Sequence, residues 1–288
     1  MARFRRNKPF FSRHKRPQNG EGSPRIPYRK RIPVSEMKKG IVILPSLLTL
    51  FSIFFGFWSL VNTIKGDFVF AAAFILVAGF FDGIDGKVAR LTKSTTRFGL
   101  ELDSLADVIS FGIAPGLLVY VWALADYQRI GWVTAFVFVA CGALRLARFN
   151  VQSGSIDPKR FNGLPIPAAA AMIATLVLFF NKLSLSPKDY GISVLVLTYL
   201  LAFLMVSSIK FHGFKDLTVV RRKPFSSTVA FVLVLAFVAA HPSIVPFILC
   251  SAYVISGPIL TIYLLYGQKK RPEPNETQQE GAANVTTS

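Results

Sequence analysis

Phe68-Val-Phe-Ala-Ala-Ala-Phe-Ile-Leu-Val-Ala-Gly-Phe-Phe81 carries no charge and ends on Asp82-Gly-Ile-Asp85-Gly86. A bilayer core about 30 Å thick is crossed by roughly 20 mostly apolar residues in helical form, and the apolar segment around this run extends over 67–91. It is apolar on every side rather than along one stripe, as expected of a helix surrounded by lipid or protein. Further apolar segments lie at 41–63, 98–125, 131–149, 165–182, 190–208, 226–241 and 244–267. The pattern predicts an all-α, polytopic transmembrane bundle of eight spans. The seventh is short enough to be tilted or partly re-entrant.

Composition agrees. The 288 residues are 52% hydrophobic and 17% charged, yet the net charge is +18. Such a charge on a soluble chain would suggest nucleic acid, but here neither aromatic interleaving nor a recognisable binding fold accompanies it, so no nucleic-acid partner is expected. Residues 1–40 are rich in Arg, Lys, Pro and Gly and read as a disordered basic tail attracted to anionic lipid headgroups. Residues 268–288 read as a second disordered tail. No signal-peptide core is visible in the first forty residues, so the first span is expected to direct insertion. Cys141 and Cys250 both lie in apolar segments, without disulfide or metal-site spacing, and read as small packing residues.

Basic residues set the orientation. With the N-terminus inside, 29 of the 33 Lys and Arg fall on the cytoplasmic side, and only Lys65, Arg129, Lys182 and Lys188 lie outside. This is the asymmetry of the positive-inside rule. The expectation is a multi-pass protein of the cell membrane with both termini in the cytoplasm.

Four acids cluster at the cytoplasmic membrane boundary. Asp82 and Asp85 end the second span, and Asp103 and Asp107 open the third. An ionisable group at membrane depth costs roughly 2.5–3.5 kcal/mol on insertion scales, so four carboxylates call for positive compensation. Spacings of three and four put each pair on one helix face. Gly79, Gly83 and Gly86 allow a neighbouring helix or a phosphate to approach closely. Two facing helices would thus gather four oxygen ligands suited to Mg²⁺ or Mn²⁺ rather than zinc. A two-metal site of this kind serves phosphoryl-type transfer, with a nearby carboxylate available as general base. Lys87, Arg90 and Lys93 are placed to hold further phosphate oxygens. The plain alternative is an acid and base cluster that only anchors helix ends, which leaves the glycines unexplained.

Asp82-Gly-Ile-Asp85-Gly86-Lys-Val-Ala89-Arg90, eight residues, then Gly99-Leu-Glu-Leu-Asp103-Ser-Leu-Ala-Asp107 resembles, position by position, the DxxDGxxAR-x8-GxxxDxxxD motif of the CDP-alcohol phosphatidyltransferases. The resemblance implies Asp82, Asp85 and Asp103 as metal ligands, and Asp107 as general base that also touches a metal. It implies Gly83, Gly86, Ala89 and Arg90 as neighbours of the CDP moiety. It also implies a six-helix core and a homodimer, which makes 41–215 the catalytic core and 216–267 additional C-terminal helices. The first span departs from the family's Pro-Asn-x-x-Thr pattern, reading Pro45-Ser46-Leu-Leu-Thr49. Thr49 keeps its assignment to the CDP site, while Ser46 has a shorter reach than asparagine.

The runs Leu102–Pro115, Ala143–Asn150, Phe161–Pro167 and Ser207–Phe211 with Phe214-Lys215 resemble the serine-accepting branch of that family. The implied substrates are CDP-diacylglycerol and L-serine, among the surrounding membrane lipids. Serine carries a carboxylate, an ammonium and a hydroxyl, and so calls for an arginine fork and polar acceptors. The expected pocket comprises Arg148, Asn150, Asn162, Ser110 and Arg145, although either arginine serves equally well as a positive-inside anchor. His212 reads as a solvated loop residue. With no Ser, Cys or His nucleophile evident beside the aspartates in sequence, a single displacement is expected. Two other readings stand. One is the same chemistry with glycerol 3-phosphate or an inositol phosphate as acceptor. The other is a cation-coupled transporter, opposed by the single copy of the acidic motif where inverted repeats would give two.

Overall fold

The computed structural model describes residues 39–92, 96–152, 161–211 and 224–269. Helices α1 (Lys39–Lys65) and α2 (Phe68–Leu91) form an antiparallel pair closed by a turn in which the Asp67 N–H donates to the Asn62 carbonyl at 2.9 Å. Aromatic rings zip the pair together. Trp58 stacks on Phe74 with centroids 4.6 Å apart, and Phe55 and Phe51 stack on Phe81 at 5.3 and 5.5 Å. Offset stacking of this kind contributes beyond simple area burial.

The segment expected as one span at 98–125 is a helical run whose pitch widens twice. It comprises α3 (Arg97–Asp107), a π-helical turn Val108–Ile113, α4 (Ala114–Val119) and a second π turn Tyr120–Leu124. Pro115 explains the first widening. It has no N–H and its ring would meet the carbonyl four residues earlier, so a regular α-helix is blocked there. Gln128, at φ 45°, then turns the chain into α5 (Gln128–Gln152), which packs back along the same run.

After α5, a two-residue antiparallel pairing joins β1 (Phe161–Asn162) to β2 (Lys210–Phe211). Apart from this pairing the described fold is all helical, with α6 (Ile166–Lys182) and α7 (Gly191–Val206) between the two strands. Gly163 beside β1 has φ +83°, and a Cβ there would stand 2.5 Å from the Met205 carbonyl oxygen, so the position requires glycine on both counts. Helices α8 (Pro224–Ala240) and α9 (Val245–Lys269) complete the described chain.

The core gathers where α2, α4, α6 and α7 meet. Ala71, Ala72, Ile75 and Ala78 form one face of α2, buried against Ala169, Ala170, Ile173 and Val177 of α6. Small residues at this contact let the backbones come close, which is how helices associate where lipid removes the hydrophobic drive. Outward, Phe54, Phe57, Phe70, Phe80, Phe203 and Phe237 are each more than half exposed, an apolar surface that belongs in hydrocarbon rather than water. By length and composition, Leu44–Lys65, Phe68–Leu91 and Arg97–Val151 suffice to cross a bilayer, while Ile166–Lys182, Gly191–Val206 and Val245–Thr261 are shorter apolar helices. The protein is therefore a membrane protein. The tails at 1–38 and 270–288, and the loop carrying His212 and Lys215, lie outside the described residues.

Candidate active site

Where α2 ends and α3 begins, the carboxylates converge. One oxygen from each of Asp82, Asp85 and Asp103 lies within 4.8 Å of the others. Asp107, one turn beyond Asp103 on α3, is within hydrogen-bonding reach of Asp82, and its Oδ1 is buried with no hydrogen-bond partner among the described residues. Asp85 is buried and accepts a 2.8 Å hydrogen bond from the Thr49 hydroxyl on α1. So α2 and α3 supply all four carboxylates, and α1 hydrogen-bonds one of them through Thr49. Thr96 starts α3 as its N-cap, its hydroxyl accepting from the Gly99 N–H at 3.0 Å, which fixes where the Asp103 and Asp107 face begins.

A cavity of about 330 Å³ opens beside the cluster, lined among others by Ser46, Thr49, Asp85, Gly86, Ala89, Arg90 and Asp103. Arg90 Nε donates to the Gly86 carbonyl at 2.8 Å, which folds the arginine along the cavity wall. Gly83 is exposed, and no described atom lies within 4 Å of the place where its Cβ would stand. Glycine inside a helix costs about 1 kcal/mol relative to alanine. Packing among the described residues gives no reason for it here.

The donor set suits a hard divalent cation. The cluster offers only oxygens, crowds like charges together and leaves a buried Oδ1 unpaired, all of which a bound Mg²⁺ or Mn²⁺ would resolve. Asp82, Asp85 and Asp103 would hold it, with Asp107 adjoining.

The residues expected for serine are spread more widely. Arg145 on α5 is partly buried, and its Nε is buried without an acceptor among the described residues. Arg148 is exposed, with Nη1 3.4 Å from the Val206 carbonyl. The Asn150 amide donates to Ser104 Oγ at 2.9 Å, tying the end of α5 to α3 beside Asp103. Ser110 is fully buried and donates to the Ser52 carbonyl at 3.0 Å, so it serves the junction between α1 and the π turn and is not part of the cavity lining. Gly56 makes room for it, since a Cβ there would overlap Ser110 Oγ. Lys93 and the Asn162 side chain lie outside the described residues. Sequence reasoning did not single out Thr96 or Ser104. The Thr96-x-x-Gly99 capping pattern was a usable signal for the first, and nothing in the sequence marked the second.

Comparison with known proteins agrees with this geometry. The sequence model of the family described as CDP-alcohol phosphatidyltransferase matches residues 42–209. The chain belongs to the CDP-alcohol phosphatidyltransferase family and is accordingly an enzyme. It is 38% identical over 228 residues to the CDP-diacylglycerol–serine O-phosphatidyltransferase of Helicobacter pylori strain 26695, covering 78% of this chain and 93% of that one. It is 33% identical over 172 residues to the enzyme of that name from Bacillus subtilis, covering 60% and 91%. An archaetidylserine synthase of Methanothermobacter thermautotrophicus is 40% identical over 161 residues, covering 54% and 68%.

Proposed function

We propose that the protein transfers the phosphatidyl group of CDP-diacylglycerol to the hydroxyl of L-serine, giving phosphatidylserine and CMP. The observation that carries the reading is the convergence of Asp82, Asp85 and Asp103 beside a cavity that Gly86, Ala89 and Arg90 also border. Serine as acceptor is supported by one relative whose name gives serine as acceptor and another whose name gives a serine lipid as product.

In this reading the CDP moiety lies along Gly83, Gly86 and Ala89, with Arg90 and Lys93 on its phosphates and Thr49 holding Asp85 in place. Asp82, Asp85, Asp103 and Asp107 would hold a divalent cation pair, Mg²⁺ or Mn²⁺, which would supply positive charge to offset the diphosphate and the leaving CMP. Asp107 takes the proton from the serine hydroxyl. That oxygen attacks the phosphorus bearing diacylglycerol, and the bond from this phosphorus to the CMP oxygen breaks. Arg148 and Arg145, with Asn150 and Asn162, receive serine's carboxylate and ammonium. Direct displacement is preferred although Ser46 and Thr49 line the cavity, because the Thr49 proton is committed to Asp85 and Ser46 has no assigned base. The same proposal includes eight spans around a six-helix core, a catalytic unit over 41–215, cytoplasmic termini and a cytoplasmic active site. A homodimer belongs to it on the strength of the family resemblance alone.

The test is CMP release by purified protein in detergent with CDP-diacylglycerol and Mn²⁺ or Mg²⁺, comparing serine, glycerol 3-phosphate and inositol phosphate. Release that requires serine supports the reading. Metal-dependent release with another acceptor keeps the family chemistry and removes serine.

A further inference from the structure

A second cavity lies at the other end of the helix pair. The turn joining α1 to α2 is opposite the aspartates, and Asp67 precedes Asp82 by about 22 Å of helix at about 1.5 Å per residue. Both helices are long enough to cross a bilayer, so this turn belongs to the far membrane boundary. The cavity there measures about 470 Å³, against about 330 Å³ beside the aspartates, and the two share no lining residue.

Aromatic side chains form its walls. Phe68 and Phe70 come from the first turn of α2, and Phe180 near the end of α6 meets Trp122 edge to face with centroids 5.2 Å apart. Three polar groups stand among them. Asp67 is the one acid in the lining; its carboxylate is exposed and makes no capping bond to α2. Lys188 pairs with Asp126 at 3.3 Å, and no described cation pairs with Asp67. Asn181 is likewise exposed, and its side chain has no hydrogen-bond partner among the described residues. The third group is the Trp122 indole. The ring is only 8% exposed, yet its N–H has no acceptor among the described residues. Buried polar groups are normally paired, and tryptophan is a donor alone, so this N–H calls for an acceptor within the cavity.

These demands describe one kind of ligand. A carboxylate set among aromatic faces attracts an ammonium, whereas an indole N–H and an amide donate to phosphate or ester oxygens. A purely anionic headgroup would meet Asp67 uncompensated. Val69 and Phe70 continue from the lining as exposed apolar surface, Phe70 at 61%, which suits hydrocarbon rather than water. We propose that the cavity binds the zwitterionic headgroup of an ammonium-bearing phospholipid. Its ammonium lies on Asp67, its phosphate on Trp122 and Asn181, and an acyl chain runs along Phe70. The site is separate from the reaction and does not depend on serine being the acceptor.

The test is native mass spectrometry of the full chain in detergent, titrated with dioleoyl phosphatidylethanolamine or with phosphatidylglycerol of the same chains. Wild type is expected to bind phosphatidylethanolamine about fivefold more tightly, as for one charge-assisted contact at a partly exposed site. Asp67→Asn, on an exposed turn, removes that preference. Trp122→Phe keeps a ring, loses the N–H and weakens binding of the same lipid. The thermal midpoint and CMP release of Asp67→Asn stay as in wild type. Equal binding of the two lipids by wild type, a preference that survives Asp67→Asn, or an adduct displaced by CDP-diacylglycerol overturns the site. Free phosphorylethanolamine that binds as tightly as the lipid overturns the assignment to a membrane lipid.

Discussion

The Thr49 hydroxyl donates a 2.8 Å hydrogen bond to Asp85 Oδ2 across two helices, and so the first span orients a carboxylate of the second. Asp85 is buried and this bond fixes its rotamer. Partners that orient metal-ligating side chains are worth roughly 10–100-fold in metal affinity. Thr49→Val keeps the shape and removes the donor. It is expected to raise the Mn²⁺ concentration for half-maximal CMP release by about tenfold or more, with a smaller change at saturating metal. A titration of activity against Mn²⁺ checks it.

Asp107 occupies a different position in the cluster. Its Oδ1 has no partner among the described residues, and its neighbours include Asp82 and Asp103. In the proposed reading Asp107→Asn removes the general base while relieving like-charge crowding. Catalysis is expected to fall about 10²–10⁴-fold, whereas the thermal midpoint of metal-free protein is expected to hold or rise. A fall in both would mark the residue as structural rather than catalytic.

The helices and the aspartate cluster were legible because their signals are local. Uninterrupted apolar runs announce spans, and Asp82, Asp85, Asp103 and Asp107 share helix faces by simple spacing. The pitch of the third span was less legible, since the π turns depend on how Pro115 and its neighbours pack. The acceptor side was least legible. Ser110 reads as a pocket residue from its motif, yet it lies fully buried against Ser52, because only the crossing of α1 at Gly56 determines which way it faces.

Asn150 illustrates how the same ambiguity is settled by experiment. Its amide donates to Ser104 Oγ at 2.9 Å, so it braces α3 next to Asp103. If bracing is its part, Asn150→Ala and Ser104→Ala produce similar losses and the double variant adds little, the coupling expected of residues in contact. If Asn150 instead meets serine directly, its replacement raises the serine KM and Ser104→Ala does not. Serine KM values for the three variants separate the two roles.

Ser110 gives the sharpest contrast between motif and structure. It donates to the Ser52 carbonyl at 3.0 Å inside a junction so close that a methyl group on Gly56 would overlap it. A single buried hydrogen bond contributes about 1 kcal/mol. Ser110→Ala also leaves the Ser52 carbonyl to its helical partner, so the fold survives. The expected result is a thermal midpoint a few degrees lower with serine and CDP-diacylglycerol KM values as in wild type. Gly56→Ala, which pushes the two helices apart, is expected to destabilise more than Ser110→Ala and to lower catalysis as well, because α1 carries Thr49 to Asp85. A serine KM that rises in Ser110→Ala at unchanged stability would return the residue to the acceptor pocket and would require α1 to move when serine binds.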